Sequence, residues 1–202
     1  MMLRFAITDR RLGAPDNPES ERQKHLIASC ATLAAGGIDY LLIREKDLAA
    51  GPLAQLSRAI ITAIRETSSS TRILIAHRPD IAIAAGADGV HLSAAPGELT
   101  PADVRRLIPN AFVSVSCHTL EEVQRARDLG TSAILFGPIF GKVVAGVEVV
   151  PGIGLDPLRQ ACTLAANTPV FALGGITPDN SAACMSAGAS GIAGIRMFFP
   201  AF

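Results

Sequence analysis

A glycine-to-strand pattern occurs four times in this chain and constrains its fold more than any other feature. Each copy is a helix-like stretch that ends at a glycine, followed within a few residues by a short apolar strand. The copies are residues 33–40, 83–90, 127–134 and 185–192. Glycine just past a helix permits the left-handed turn that ends it. Because each interval has room for one more strand and helix, the pattern predicts eight strands and up to eight helices, a (β/α)₈ TIM barrel.

Size and composition agree with a single barrel domain. The chain has 202 residues, fewer than the roughly 250 that are usual for this fold, so we expect one lean domain over residues 1–202. Hydrophobic residues make up 49% of the chain and charged residues 18%. This composition is typical of a parallel sheet that is buried on both faces.

Charge and cysteine usage exclude several classes of partner and location. The chain carries 18 basic and 18 acidic side chains, so nucleic acids and anionic membrane surfaces are poor candidate partners. No apolar run reaches the length of about 20 residues that a membrane span needs. The four cysteines are scattered, which is typical of reduced thiols in a cytoplasmic protein. We therefore expect a cytoplasmic protein with a small-molecule ligand.

Strand-like segments alternate with helix-like segments along the whole chain. The predicted strands cover residues 4–8, 40–44, 72–76, 89–92, 112–116, 133–136, 170–173 and 191–195. A glycine-rich loop over residues 137–154 is longer than most connections in this fold, which favours function or mobility. Lys142 within this loop could reach over a substrate, although a solvated lysine is the simpler interpretation.

The chain stops seven residues after Ile195, so we expect a reduced eighth helix. The ending, residues 197–202, is strongly apolar. One interpretation is that the uncovered surface is a homo-oligomer interface, since large apolar patches usually mark association. The other is that the phenylalanines close the gap within one chain. The sequence gives these two equal weight.

Two cations follow the second predicted strand. Arg44 and Lys46 point the same way if strand alternation continues, and they would repel each other at the barrel mouth unless an anion lies between them. Glu45 and Asp47 could supply that anion internally. Position in the fold favours a bound anionic substrate group over this internal pairing.

A histidine marks the end of the fifth predicted strand. Ser116 and His118 share one face of that strand, whereas Cys117 faces the other way, so Cys117 and His118 are not expected to form a thiolate pair. Histidine takes and gives a proton near neutral pH. His118 is therefore the candidate acid/base, although a helix-start hydrogen bond would also explain it. His91, late in the fourth strand, and Ser116 are candidate substrate-binding residues.

Glycines follow the seventh and eighth predicted strands. Gly174 and Gly175 follow one strand and Gly194 follows the next, with Arg196 close behind. In this fold the same two loops often cradle a phosphate, because glycine lets backbone N–H groups approach an oxyanion. Arg196 could add a charge-assisted contact or be a surface arginine. The predicted mouth has no pair of carboxylates that could bind a metal ion, so we expect no metal site.

Taken together, these motifs resemble the family of small barrels that contains thiamine phosphate synthases and thiazole tautomerases. The resemblance covers nearly the whole chain and is carried by residues 43–46, 86–92, 115–119, 136–140 and 174–178. It implies a (β/α)₈ barrel that binds a thiazole phosphate, with the glycines at 174, 175 and 194 around the phosphate.

The chain departs from the pattern of the synthase branch. That branch joins a pyrimidine diphosphate to a thiazole phosphate and uses Mg²⁺. Its pattern has Asn-Asp where this chain has His77 and Arg78, a second Asp near Pro96, and a Gln at Leu42. Its Thr-x-Thr-Lys loop is replaced by residues 141–145. These departures predict the loss of the metal-binding carboxylates.

The tautomerase branch requires no metal and isomerises a thiazole phosphate carboxylate. The resemblance implies that His118 is its acid/base and that Arg44 and Lys46 hold the carboxylate, with no cofactor. A divergent thiamine phosphate synthase, with Mg²⁺ carried in by the diphosphate, is the alternative enzyme. A barrel that binds a thiamine precursor without turnover, as a regulator, is the alternative from another class.

Overall fold

In this computed structural model, residues 2–12, 16–144 and 147–199 are described, with the backbone alone for 142–144 and 147–149. The strands are β1 (Leu3–Ile7), β2 (Tyr40–Ile43), β3 (Arg72–Ala76), β4 (Gly89–Ser93), β5 (Phe112–Cys117), β6 (Ala133–Phe136), β7 (Lys142–Val144), β8 (Val147–Val150), β9 (Val170–Leu173) and β10 (Gly191–Gly194). The helices are α1 (Glu19–Ala35), α2 (Ala50–Glu66), α3 (Pro79–Ala85), α4 (Pro101–Leu107), α5 (Leu120–Asp128), α6 (Leu155–Ala165) and α7 (Pro178–Ser186).

Eight parallel strands close into a barrel in the order β1-β10-β9-β6-β5-β4-β3-β2. The closing pair is β1 with β10, where Leu3 lies opposite Gly191. This confirms the predicted (β/α)₈ barrel. Strands β3, β6 and β9 begin and end at the predicted residues, and the other five differ by one residue at one or both ends. The extent of the domain over residues 1–202 stays a prediction.

The repeated glycines end the helices as the sequence pattern predicts. Gly37, Gly86, Gly130 and Gly188 have φ values of +75°, +75°, +70° and +99°, a region that side chains other than glycine rarely adopt. At each of them the backbone reverses and enters the next barrel strand. The fourfold pattern therefore reflects a conformational requirement of the helix-to-strand connection.

Barrel side chains alternate between two apolar layers. One cluster fills the barrel interior, and it consists of Phe5, Ile7, Leu42, Leu74, Ala133, Leu135, Phe171 and Ala193. The larger cluster lies between barrel and helices and includes Val113, Val115 and Cys117 of β5. Cys117 therefore faces outward, as predicted. Its burial raises the pKa of the thiol to about 12, which makes it a poor nucleophile.

The loop over residues 137–154 contains structure that the sequence analysis did not predict. Strands β7 and β8 form a two-stranded antiparallel sheet that is separate from the barrel. Valines predominate in both strands, and β-branched residues favour extended backbone. Lys142 is the first residue of β7.

The eighth helix is reduced to one turn in the part of the chain that is described. The backbone N–H groups of Phe198 and Phe199 donate to the carbonyl of Ile195, at 3.0 and 2.9 Å. Phe199 is buried and Phe198 packs against the outer core. A cleft of about 360 Å³ remains between this turn and α1. Residues 200–202 of the apolar ending lie outside the described residues.

The described phenylalanines therefore fill part of the gap, and the homo-oligomer interface stays a prediction. Across the described ranges, no helix is long and apolar enough to cross a membrane.

Candidate active site

The carboxyl ends of the barrel strands form one rim, which we call the mouth, and the loops after β1, β2, β3, β4, β5, β6, β9 and β10 surround it. The predicted site residues come to this end of the barrel: Arg44, Lys46, Ser116, His118, Gly174, Gly175, Gly194 and Arg196 on or just after strand ends, and His91 inside the barrel. Because β9 lies across the closed ring from β2 and β3, the glycines at 174 and 175 face the two cations across the mouth.

Arg10, which the sequence analysis did not single out, organises one side of the mouth. Its side chain is only 3% exposed. The guanidinium donates to Glu19 at 2.7 Å, to Glu45 at 3.0 Å and to both oxygens of Asp47 at 2.6 and 2.5 Å. These contacts join the start of α1 to the loop after β2. They hold the pKa of the Asp47 carboxyl well below its usual range.

The Arg10 network binds both acidic residues that neighbour Arg44 and Lys46 in the sequence. Glu45 accepts from the Thr8 hydroxyl at 2.6 Å and from Arg10, and Asp47 accepts from Arg10 and Arg11. The Thr8 hydroxyl oxygen in turn accepts from the Arg44 backbone N–H at 3.0 Å. Glu45 and Asp47 therefore do not form the ion pairs with Arg44 and Lys46 that the sequence left open.

Arg44 and Lys46 both follow β2 at the mouth. Among the residues whose side chains are described, neither has an ion-pair partner. Arg44 is half-buried and Lys46 is exposed. Two unpaired cations at the rim of a barrel create a local positive field, which attracts an anion.

His91 lies inside the barrel and is fully hydrogen-bonded. Its Nδ1 lies 2.8 Å from the Ser114 hydroxyl and its Nε2 lies 2.8 Å from the Ser116 hydroxyl. Burial, with smaller contributions from His77 and Arg44, lowers the pKa of His91 to about 3. His91 is therefore neutral near pH 7. Its ring and the Ser116 hydroxyl are hydrogen-bonded to each other. A role in substrate binding stays a prediction for both.

His118 lies at the rim, with its imidazole held against the neighbouring strand end. Nδ1 is 2.6 Å from the Gly137 carbonyl oxygen. Because a carbonyl oxygen only accepts, Nδ1 carries the proton in this contact, and Nε2 of the neutral ring is the proton acceptor. The backbone N–H of His118 donates to Glu122 of α5. One contact thus orients the imidazole and the other holds the backbone of the same residue.

The glycines after β9 lie where no side chain fits. Gly174 and Gly175 have φ values of +95° and +64°. A Cβ on Gly174 would lie 2.6 Å from the Pro138 side chain, and one on Gly175 would lie 2.6 Å from the Phe140 carbonyl oxygen. The loop after β6 therefore packs directly on the backbone of the loop after β9, and helix α7 begins just beyond, capped by Thr177.

The two candidates after β10 are less constrained. Gly194 ends β10, and a Cβ there would meet only the Met197 side chain, at 3.7 Å. Arg196 is exposed and lies in the single turn that replaces the eighth helix. Close packing thus explains Gly174 and Gly175 but not Gly194, and the phosphate-binding role of all four residues stays a prediction.

The residues at the mouth do not fit Mg²⁺, the metal that the synthase branch uses. Mg²⁺ prefers carboxylate and water oxygens in octahedral geometry. Among the described residues, no group of three or more His, Cys, Asp and Glu side chains could hold a metal ion. Glu45 and Asp47 are bound by Arg10, and Glu98 faces His77.

Comparison with known proteins identifies the family. The family model described as thiamine monophosphate synthase matches residues 15–198. The chain belongs to this family. A protein of Aquifex aeolicus, provisionally named thiamine-phosphate synthase 2, is 35% identical over 194 residues, which cover 96% of both chains. The thiamine-phosphate synthase of Roseiflexus sp. is 34% identical over 192 residues, which cover 94% of this chain and 75% of that one.

A solved structure extends the likeness to three dimensions. Thiamine phosphate pyrophosphorylase from Pyrococcus furiosus superimposes with a TM-score of 0.78 at 27% identity, over 96% of this chain and 86% of that one. These findings confirm the family and the fold that the sequence motifs predicted. Between the two branches, the names of these relatives correspond to the synthase.

Proposed function

We propose that this member of the thiamine monophosphate synthase family binds a thiazole phosphate at the barrel mouth and isomerises its ring without a metal ion. The observation that carries the proposal is the His118–Gly137 contact, which leaves Nε2 as the proton acceptor at the rim. A tautomerisation removes a proton from one ring atom and returns one to another, so the substrate keeps its composition. One imidazole can perform both transfers.

The remaining mouth residues would bind the two anionic groups of the substrate. The phosphate would lie at the backbone of Gly174 and Gly175, near the start of α7, where N–H groups and the helix dipole favour an anion. The ring carboxylate would lie at Arg44 and Lys46, whose positive charges are not neutralised by Glu45 or Asp47. Because these groups lie across the mouth, the ring would be held between them.

A second candidate function is thiamine phosphate synthesis from a pyrimidine diphosphate and a thiazole phosphate. The names of the relatives favour this reaction over the first. The donor set at the mouth argues against the usual metal-assisted form, since His77 and Arg78 occupy the place of an Asn-Asp pair. Arg44 and Lys46 would then contact the diphosphate instead of a carboxylate.

One experiment separates these functions from a binding protein without turnover. The protein is incubated with thiazole carboxylate phosphate in EDTA, and then with pyrimidine diphosphate and Mg²⁺. Isomerisation in EDTA supports the tautomerase. Coupling that depends on Mg²⁺ supports the synthase and contradicts the first proposal. Binding without conversion in either mixture supports a regulatory protein and contradicts both enzymes.

A further inference from the structure

His77 lies at the mouth and has a left-handed backbone, at φ +58°. It follows β3 directly, and its backbone N–H donates to the His91 carbonyl at 2.8 Å. Histidine adopts this conformation more readily than most side chains, but it is still uncommon. Such strained residues concentrate at functional sites, because the surrounding structure must hold them in place.

The left-handed backbone changes which way the side chain points. In β3, Leu74 faces the barrel interior and Ile73 and Ile75 face the helices, so regular alternation would turn residue 77 outward. Instead, the His77 ring lies 6.4 Å from the ring of His91, which is inside the barrel, at an interplanar angle of 78°. The strained turn therefore brings the imidazole over the mouth.

His77 lies beside the two unpaired cations. The β2–β3 register pairs Ile43 with Ile75, so the residues that follow, Arg44 to Lys46, run alongside the end of β3. Burial lowers the pKa of His77, and Lys46 and Arg44 lower it further, whereas Glu98 raises it. The His77 side chain is 39% exposed, so a ligand at the mouth can reach it.

An acidic side chain, Glu98, lies beside His77. Its Oε2 lies 3.9 Å from His77 Nδ1, which is longer than a hydrogen bond. Glu98 comes from the loop after β4 and is 46% exposed. A carboxylate from solution would compete with it for the same positive field.

We propose that His77 is a specificity-determining residue that, together with Arg44 and Lys46, binds the carboxylate of the substrate directly, without a bridging metal ion. This inference rests on the proposed function and extends it to a residue that the sequence analysis left unassigned. His77 supplies an N–H donor and Arg44 and Lys46 supply charge. Glu98 occupies the neighbouring position when no ligand is bound.

The test compares two ligands that differ only in the carboxylate. Affinities for thiazole carboxylate phosphate and for thiazole phosphate are measured by calorimetry in EDTA. We expect the wild type to prefer the carboxylate-bearing ligand. The variant H77G keeps the left-handed backbone without strain, and we expect it to lose about tenfold of that preference, the value of a charge-assisted hydrogen bond. Its affinity for thiazole phosphate should stay the same.

Two further variants sharpen the result. E98Q removes the competing carboxylate and should strengthen the preference, whereas E66Q removes a charge at the end of α2, away from the mouth, and should leave it unchanged. An unchanged preference in H77G, or a wild-type preference that appears only with Mg²⁺, overturns the inference. If the wild type binds neither ligand, the proposed function itself fails and this inference fails with it.

Discussion

The imidazole of His118 and the carbonyl of Gly137 are joined at 2.6 Å between Nδ1 and oxygen. This contact crosses from the end of β5 to the end of β6, so two neighbouring barrel strands determine the ring orientation. The position of the Gly137 carbonyl therefore bears directly on the orientation of the imidazole.

Replacing His118 by alanine should abolish proton exchange and leave binding largely intact. General acid–base catalysis contributes about 10²–10⁴-fold to a rate, so we expect a loss of that size in turnover. The affinity for thiazole phosphate should change little, because the proposed phosphate contacts come from the backbone after β9 and not from the imidazole. Isotope exchange into the substrate and calorimetry measure the two effects. Full turnover in H118A would refute the assignment, and H25Q on helix α1 is a matched control.

Replacing Gly175 by alanine should damage both stability and phosphate binding. A Cβ there lies 2.6 Å from the Phe140 carbonyl, and overpacking costs about 1–3 kcal/mol in addition to the left-handed strain. Gly86 is the matched control, since its φ is +75° but no atom lies within 4 Å of a Cβ. We expect G86A to cost about 1 kcal/mol from strain alone and to leave binding unchanged. Urea unfolding and calorimetry distinguish the variants, and equal effects would contradict the packing argument.

Replacing Arg10 by methionine should destabilise the fold strongly. The Glu45 side chain is only 2% exposed and would lose its cationic partner. Breaking a buried ion pair by removing one partner costs about 3–5 kcal/mol. Urea unfolding at pH 7 measures this loss, with R159M as a control, because Arg159 pairs with Asp156 at the surface. A loss in R10M no larger than in R159M would show that the network contributes little.

Stability should fall as the pH drops from 7 to 5, and His91 should account for part of the fall. The pKa of His91 is about 3 in the folded protein and about 6.5 in an unfolded chain. Between these values the unfolded state binds more protons, so acid favours unfolding. The linkage amounts to about 2 kcal/mol at pH 5. Urea unfolding at both pH values should show a smaller fall in H91Q; an equal fall would contradict this.

The oligomeric state tests the apolar ending of the chain. If the turn at residues 195–199 forms an interface between two copies, the mass in solution exceeds the 21.0 kDa of one chain. Phe198 is half-buried in this turn, so F198S should shift the equilibrium toward the monomer. Light scattering after size-exclusion chromatography measures both. A monomeric wild type would end the interface hypothesis.

The barrel could be predicted from the sequence because its signals are local. Left-handed glycines such as Gly86 and Gly130 end helices whatever surrounds them, and capping threonines such as Thr119 begin them. The hairpin β7–β8 was missed because its valines lie in a glycine-rich loop, where periodicity is weak. The faces of β5 were predicted correctly, because strand alternation alone placed Cys117 and Ser116 on opposite faces of that strand.

The site could be predicted only in outline. Sequence position placed Arg44, Lys46 and His118 at one end of the barrel, but two features depended on contacts between distant segments. Arg10 binds acidic residues 35 and 37 positions away. Neither its burial nor the absence of an ion-pair partner for Arg44 among the described side chains was therefore visible in the sequence. The only local signal for Arg10 was its place three residues after the end of β1.

The sequence by itself determined the barrel, the direction of its strands and the family, because helix ends, strand alternation and short motifs are properties of neighbouring residues. Only the tertiary structure decided which charges at the mouth are neutralised and which remain open, because ion pairing depends on distances between strands that are far apart in the chain. The turn of His77 toward the barrel interior belongs to this second group, since alternation alone would have placed it on the opposite face.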